Sequence, residues 1–161
     1  MKEFSIRVLG PEHAPDVFRL EAEIFGRDAW SLPLVLEELA SPWGSYLGVF
    51  RDGSSGTQLV GYGGVKGDRE ADLMTIGLLE KWRGKGLGSD LLQALVGVAA
   101  NSGIQKLFLE VRESNRPARD LYKRAGFLEV GTTPGYYRFP TEAAVTMVLD
   151  VRREGGAGFP A

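Results

Sequence analysis

The sequence predicts an α/β (α+β) fold in which a central mixed, mostly antiparallel sheet carries helices on both faces. Three observations predict it. Strand-like alternation of apolar and polar residues recurs along the 161-residue chain. Segments with helical spacing of apolar residues separate the strands, in the order β-α-α-β-β-β-α-β-α-β-β. Three of the strands follow one another with only glycine-rich turns between them, which favours antiparallel pairing.

The first third of the chain predicts one strand and two helices. Phe4–Val8 alternates apolar and polar residues, and Pro11–Phe25 has a helical period with prolines suited to its first turn. Ser31 is expected to cap a second helix that ends at Leu39. The apolar residues that we expect on the buried face of this helix are Leu32, Val35, Leu36 and Leu39.

The three consecutive strands are Ser45–Arg51, Gln58–Lys66 and Ala71–Leu79. Glycines and small polar residues mark the turns between them. The middle strand contains three glycines, which are poor strand formers, so its ends are weakly marked. These glycines are Gly61, Gly63 and Gly64.

The second half of the chain predicts two helices and three strands. Gly86–Gly103 has a helical stripe of leucine, valine and alanine, and its last glycine is a suitable stop. Lys106–Arg112 is a strand and Pro117–Ala125 a helix. Phe127–Gly131 and Val145–Val151 are two closing strands. We therefore predict a single domain over residues 1–151 and a flexible C-terminal tail over residues 152–161.

Composition excludes several classes of protein. The chain has no Cys and one His, which argues against a disulfide framework, a thiol nucleophile and a metal site. The net charge of -2 argues against a nucleic-acid partner. No segment has the roughly 20 apolar residues of a membrane span, and the N-terminus does not resemble a signal peptide. We therefore expect a cytoplasmic protein with no metal and no membrane association.

The segment Arg83–Gly88, Arg-Gly-Lys-Gly-Leu-Gly, follows a strand and opens a helix. Its glycines allow close approach of the backbone to a ligand, and the first N–H groups of the helix favour an anion. Arg83 and Lys85 add positive charge, so the segment suits a pyrophosphate. It is neither a Rossmann fingerprint nor a P-loop, because G-x-G-x-x-G and Gly-Lys-Ser/Thr are both missing. The alternative is a glycine-rich turn without a ligand.

Two side chains are candidates for acid–base chemistry, and each has a structural alternative. Glu110 is a carboxylate in an otherwise apolar strand, where it must be hydrogen-bonded or have a shifted pKa. It could instead face solvent or pair with Arg112. Tyr122 carries a phenol that can donate a proton, but it could equally be a core residue of an amphipathic helix.

Three further polar residues have similar ambiguity. Asn115 could cap the helix that begins near Pro117. Tyr136 and Tyr137 could pack at a sheet edge or contact a substrate.

Three segments together resemble a known family over roughly residues 4–151. Ala71–Leu78 with Trp82–Gly88 resembles the acetyl-CoA motif of the Gcn5-related N-acetyltransferase (GNAT) superfamily. Leu109–Asn115, followed by Ala118–Phe127, resembles the RimI type, the ribosomal-protein alanine N-acetyltransferases. Gly135-Tyr136-Tyr137 resembles the paired tyrosines of that group.

The resemblance implies the GNAT fold, acetyl-CoA as cosubstrate, and a role for each matching residue. It implies that Glu110 is the general base, that Tyr122 is the general acid, and that Tyr136 and Tyr137 contact the acceptor. The implied cofactor contacts are Ile76, Gly77 and Leu78 for the pantetheine arm, Arg83, Gly84, Lys85, Gly86, Leu87, Gly88 and Ser89 for the pyrophosphate, and Asn115. With no Cys and no suitably placed His, direct attack within a ternary complex is expected.

The implied reaction is acetylation of a protein N-terminal α-amine, with the N-terminal alanine of a small-subunit ribosomal protein as the usual acceptor of the group. The alternatives are another N-terminus, a lysine or a small amine as acceptor, or an acyl-CoA-binding protein without catalysis. Two departures from the family pattern matter. Gly77 replaces a common alanine, which should be tolerated where only the backbone makes contact. The segment 138–144 lacks the usual Glu-Asp pair, which puts the acceptor in doubt.

Overall fold

The computed structural model describes residues 3–151, and the predicted tail, residues 152–161, lies outside the described residues. The described part contains seven strands and four α-helices, in the predicted order. Their bounds are β1 Phe4–Val8, α1 Ala14–Phe25, α2 Leu32–Ala40, β2 Gly44–Gly53, β3 Gly56–Gly67, β4 Glu70–Leu78, α3 Leu87–Asn101, β5 Lys106–Arg112, α4 Arg116–Arg124, β6 Leu128–Tyr137 and β7 Glu142–Asp150. Among these helices, none combines the length and the apolar character that crossing a membrane requires.

The seven strands form one sheet in the order β1-β2-β3-β4-β5-β7-β6. β1 with β2, β2 with β3, β5 with β7 and β6 with β7 pair antiparallel, whereas β4 pairs parallel with β5. The parallel ladder comprises three residue pairs: Glu70 with Lys106, Ala71 with Leu107, and Asp72 with Phe108. The predicted mixed, mostly antiparallel sheet is thus confirmed.

The chain divides into two compact units. Unit 1 comprises the residues up to Lys66 together with Met74–Leu95, and unit 2 comprises Gly67–Leu73 and the residues from Val96 onward. The assignment of the whole to a single domain stays a prediction.

In unit 1, the inner face of α2 differs from the one predicted. Val35 and Leu39 are buried as expected, but Leu32 and Leu36 are 40% and 43% exposed. Glu38 is buried instead, at 4% exposure. It is held there because the hydroxyl of Tyr46 donates to its Oε1 at 2.6 Å and Lys66 Nζ lies 2.7 Å from its Oε2. A buried carboxylate is stable when it is paired in this way.

In unit 2, the residues of β5 alternate between the buried and the polar face of the strand. Leu107, Leu109 and Val111 are buried, and Glu110 and Arg112 lie on the opposite face of the strand. This face carries the polar residues of the site described below.

The closing strand β6 was predicted to end at Gly131, but it continues to Tyr137. Pro134 and Gly135 disfavour strands, but both lie within β6, where the register with β7 is irregular. β6 is an edge strand, so one side needs no hydrogen-bonding partner and a proline is tolerated. The extension brings Tyr136 and Tyr137 into the sheet.

Candidate active site

The loop between β4 and α3 has the backbone conformation that an anion site requires. Gly84 and Gly86 have φ values of +76° and +84°, in the left-handed region that favours glycine. A Cβ added to either residue would meet no atom within 4 Å, so the space in front of the loop is open. Gly88 lies in the first turn of α3 and takes no positive φ, since helical geometry leaves no need for one.

The first turn of α3 presents backbone donors beside these glycines. Asp90 N–H donates to Gly86 O at 3.0 Å, which closes the first helical turn. The N–H groups of Leu87, Gly88 and Ser89 precede that bond, so none has an acceptor within the helix. Together with the positive end of the helix dipole, these donors suit a phosphate oxygen.

Arg83 braces the same loop against the preceding strand. Its Nε donates to Leu78 O at 3.0 Å. The side chains of Arg83 and Lys85 are both exposed, and both add positive charge to the loop. Arg83 therefore holds the loop against the end of β4 as well as contributing charge.

The strand residues Ile76, Gly77 and Leu78 follow the end of the parallel ladder, whose last pair includes Asp72. An alanine Cβ at Gly77 would lie 2.9 Å from Ile24 Cγ2 and 3.0 Å from Phe25 Cζ. Glycine at this position therefore matches the packing of α1, and an alanine here would displace those side chains. Tolerance of alanine, expected from the backbone role alone, has a packing cost in this chain.

In unit 2, Glu110 is exposed on the polar face of β5. Partial loss of its hydration raises its pKa, and the nearby charge of Asp72 raises it further. An interaction with the side chain of Thr146, which is paired with Glu110 across β5 and β7, acts in the opposite direction. Glu110 is thus a carboxylate with solvent access and a raised pKa, as a general base requires.

Tyr122 is buried in α4 at 7% exposure, and its ring lies 5.8 Å from that of Phe127. Burial raises its pKa, and the nearby Tyr137 adds to the effect. Tyr122 therefore packs in the core, as the alternative to a catalytic role also predicted. Because its pKa is raised, the phenol is protonated at neutral pH.

The two neighbouring tyrosines connect Glu110 with Tyr122. The rings of Tyr136 and Tyr137 meet edge to face with centroids 4.9 Å apart. Tyr136 is 52% exposed, and its pKa is raised by lost hydration and by the charges of Glu110 and Asp72. Tyr137 in turn raises the pKa of Tyr122 through an electrostatic interaction. Unit 2 therefore brings the base candidate, the acid candidate and both tyrosines together.

Arg112, the alternative partner considered for Glu110, binds the turn after β6. Its Nη1 lies 3.3 Å from Glu142 Oε1 and donates to Pro140 O at 2.9 Å. Its Nη2 donates to Arg138 O at 2.8 Å. The guanidinium carbon lies 4.5 Å from the centre of the Tyr137 ring.

Asn115 takes its structural role as the N-cap of α4. Its Oδ1 accepts a hydrogen bond from Ala118 N at 3.2 Å, and Pro117 lies in the first turn. The amide nitrogen of the side chain is not used by that bond. Its predicted contact with a cofactor stays a prediction.

Sequence reasoning missed Asp72 and Thr146. Asp72 is the single acidic residue of the strand predicted over Ala71–Leu79, which was a usable signal. Its closeness to Glu110 depends on the register of the parallel ladder, which no local pattern contains. Across residues 3–151, no group of three or more His, Cys, Asp and Glu side chains is arranged to hold a metal ion.

The chain is similar in sequence to known acetyltransferases. Residues 14–127 match the Acetyltransferase (GNAT) family. The chain is 37% identical over 143 residues to the N-alpha-acetyltransferase RimI of Mycobacterium tuberculosis, covering 85% of this chain and 84% of that protein. It is 31% identical over 149 residues to a putative [ribosomal protein bS18]-alanine N-acetyltransferase of Bacillus subtilis, covering 91% and 95%.

Among solved structures, the ribosomal-protein-S18-alanine N-acetyltransferase of Escherichia coli is similar, with a TM-score of 0.83. The two chains share 24% sequence identity, over 92% of this chain and 94% of that one. At this identity the similarity concerns the fold alone.

Proposed function

This chain belongs to the GNAT family of acetyltransferases, and we propose that it transfers the acetyl group of acetyl-CoA to the α-amine of a protein N-terminus. Family membership makes the chain an N-acetyltransferase. We further propose that the acceptor is the N-terminal alanine of ribosomal protein S18, because this is the acceptor that the name of its B. subtilis relative gives. A cytoplasmic location stays a prediction.

One observation carries the assignment of catalytic roles. In unit 2, an ionisable carboxylate with solvent access, Glu110, and a buried phenol, Tyr122, are linked through Tyr136 and Tyr137. Amine acetylation needs one group that accepts a proton from the amine and one that supplies a proton to the leaving sulfur. The raised pKa of Glu110 makes it a stronger base, and burial keeps the phenol of Tyr122 protonated, so that it has a proton to give.

The loop of unit 1 fits the pyrophosphate of the cosubstrate. Gly84 and Gly86 leave open space in front of the loop, and three N–H groups of α3 point out of the helix end. Arg83 and Lys85 supply charge, while Ile76, Gly77 and Leu78 offer backbone groups to the pantetheine arm. The cosubstrate supplies an acetyl group activated as a thioester.

The residues of the chain then move two protons. Glu110 accepts the proton of the attacking amine, directly or through a water molecule. The amine nitrogen forms its bond to the acetyl carbon as the carbon–sulfur bond breaks. Tyr122 donates its hydroxyl proton to the sulfur, so the products are the acetylated N-terminus and CoA. Glu110 returns its proton to Tyr122 through solvent, which restores both groups.

The test is a mass-spectrometric screen of the purified protein with acetyl-CoA and a panel of peptides. The panel includes a peptide that begins with the S18 sequence, the same peptide with its first residue changed, and a peptide whose α-amine is blocked but which contains lysine. We expect acetylation at the α-amine, fastest for the alanine peptide. Modification of the blocked peptide alone would contradict the proposed acceptor.

The catalytic roles are tested in the same assay by Glu110→Gln and Tyr122→Phe. Each should lower kcat by about 10²–10⁴-fold, the usual contribution of a general acid or base. Glu113→Gln is the matched control, because Glu113 is an exposed glutamate that follows β5 and has no assigned role. If both active-site variants retained the kcat of the wild type, the assignment of base and acid would be wrong.

A further inference from the structure

The turn between β6 and β7 is held by a single arginine. Arg112 donates to two carbonyl groups of the turn, those of Arg138 and Pro140, and pairs with Glu142, the first residue of β7. The side chains of Arg112 and Glu142 are 20% and 17% exposed, so this contact is largely protected from solvent. Such a planar donor group can hold several acceptors in one fixed arrangement.

Glu142 secures the same turn from its other side. Its Oε2 accepts a hydrogen bond from Ser114 N at 2.6 Å, and its Oε1 meets Arg112. The Ser114 hydrogen bonds and the Arg112 guanidinium hold the pKa of Glu142 below its usual range. The carboxylate is therefore ionised at neutral pH and ties the end of β5 to the start of β7.

Arg112 is also connected to the acceptor side of the proposed site, through two aromatic rings. The guanidinium of Arg112 lies over the ring of Tyr137 at 4.5 Å, and that ring meets Tyr136 at 4.9 Å. Tyr136 is half exposed and lies within the electrostatic reach of Glu110. Arg112 lies two residues after Glu110 on the same face of β5, so one strand carries both Glu110 and Arg112.

We propose that Arg112 is a positioning residue that sets the acceptor side of the site by holding Tyr136, Tyr137 and the β6–β7 turn in place. The inference rests on the proposed function. It names a determinant of acceptor binding that does not itself touch the reacting atoms. Its contacts described above are with Tyr137 of β6, with Arg138 and Pro140 of the turn, and with Glu142 of β7.

The experiment measures KM for the acceptor peptide and for acetyl-CoA in Arg112→Met, which keeps an unbranched side chain but removes the guanidinium and its donors. We expect the KM of the peptide to rise by about 5–30-fold, which corresponds to the loss of one or two kcal/mol. The KM of acetyl-CoA should stay within about twofold. Arg112→Lys should fall between the two proteins, because an ammonium keeps the charge but not the planar fork.

Arg7→Met is the matched control. Arg7 also combines an ion pair, with Asp52 at 3.6 Å, and a ring contact, with Phe50 at 4.9 Å, but it lies on the edge strand β1. We expect no change in either KM. The affinity of each variant for CoA, measured by calorimetry, confirms that the variant is folded.

A double-mutant cycle with Tyr137→Leu separates positioning from a general loss of stability. If Arg112 acts through Tyr137, the two substitutions together should cost little more in kcat/KM than either alone. Additive effects would overturn the proposal, as would an unchanged KM for the peptide or an equal rise in both KM values. Wild-type protein that acetylates no amine would refute the proposed function and this inference with it. An active wild type whose Arg112→Met variant behaves normally would refute this inference alone.

Discussion

Replacing Gly86 by alanine tests whether the left-handed backbone of the loop serves ligand binding. Gly86 has a φ of +84°, and a Cβ at this position would project into open space. The substitution therefore creates no clash, and its effect comes from backbone conformation. Holding an alanine in the left-handed region costs about 1–2 kcal/mol.

That cost should appear in ligand affinity rather than in stability. Gly86 is exposed in a loop, so the free protein can relieve the strain by leaving the left-handed region. Binding must restore the conformation that directs the N–H groups of α3 at the anion. A penalty of one or two kcal/mol corresponds to a rise of about 5–30-fold in the Kd of CoA.

Gly103 supplies a control with nearly identical geometry. It has a φ of +85° and equally open surroundings, but it follows α3 at the opposite end of the helix. Gly103→Ala should lower the free energy of unfolding by about 1–2 kcal/mol and leave CoA affinity unchanged. Isothermal titration calorimetry gives the Kd, and urea denaturation gives the stability. A Gly86→Ala protein that bound CoA as tightly as the wild type would refute the role of the loop.

Two further substitutions test the titratable groups of the site and of the core. Asp72→Asn removes a negative charge beside Glu110, so the pKa of Glu110 should fall and the protein should keep its activity at lower pH. NMR titration of the Glu110 side-chain carbon measures that pKa, and Asp68→Asn is the control. An unchanged titration in Asp72→Asn would contradict the prediction. Tyr62→Phe removes the hydroxyl that donates to the buried Glu21 and should lower the free energy of unfolding by about 1.5–3 kcal/mol. Burial already raises the pKa of Glu21 in the folded state, and losing this hydrogen bond raises it further. Denaturation should therefore show a larger loss of unfolding free energy at about pH 8 than at about pH 4. An equal loss at both pH values would contradict this reasoning.

The order of the elements and the buried stripe of α3 could be predicted because each depends on local periodicity. Leu91, Leu92, Leu95 and Val96 are all fully buried, as their spacing indicated. The loop after β4 could be predicted for the same reason, since its glycines and charges are adjacent in sequence.

The glycines of β3 could not be interpreted from the sequence, because their reason lies on neighbouring strands and helices. A Cβ at Gly64 would lie 2.1 Å from the ring of Tyr46, and one at Gly61 would lie 2.3 Å from the side chain of Leu78. These residues are therefore spaces for neighbouring side chains. Packing overrides the poor strand propensity of glycine at both positions.

The choice of Glu110 over Glu21 as the base depends on access and on free hydrogen-bonding capacity, because burial raises the pKa of both. A shifted pKa by itself would favour Glu21, which is 1% exposed. Both oxygens of Glu21 are already engaged, however: Oε1 accepts from Trp30 N at 2.7 Å and Oε2 accepts from the Tyr62 hydroxyl. A carboxylate fixed in this way cannot reach a substrate or take up its proton without breaking the core. Glu110 has solvent access, and the charge of Asp72 is one cause of its raised pKa. When Glu110 takes up a proton from the amine, the repulsion between the two carboxylates is relieved.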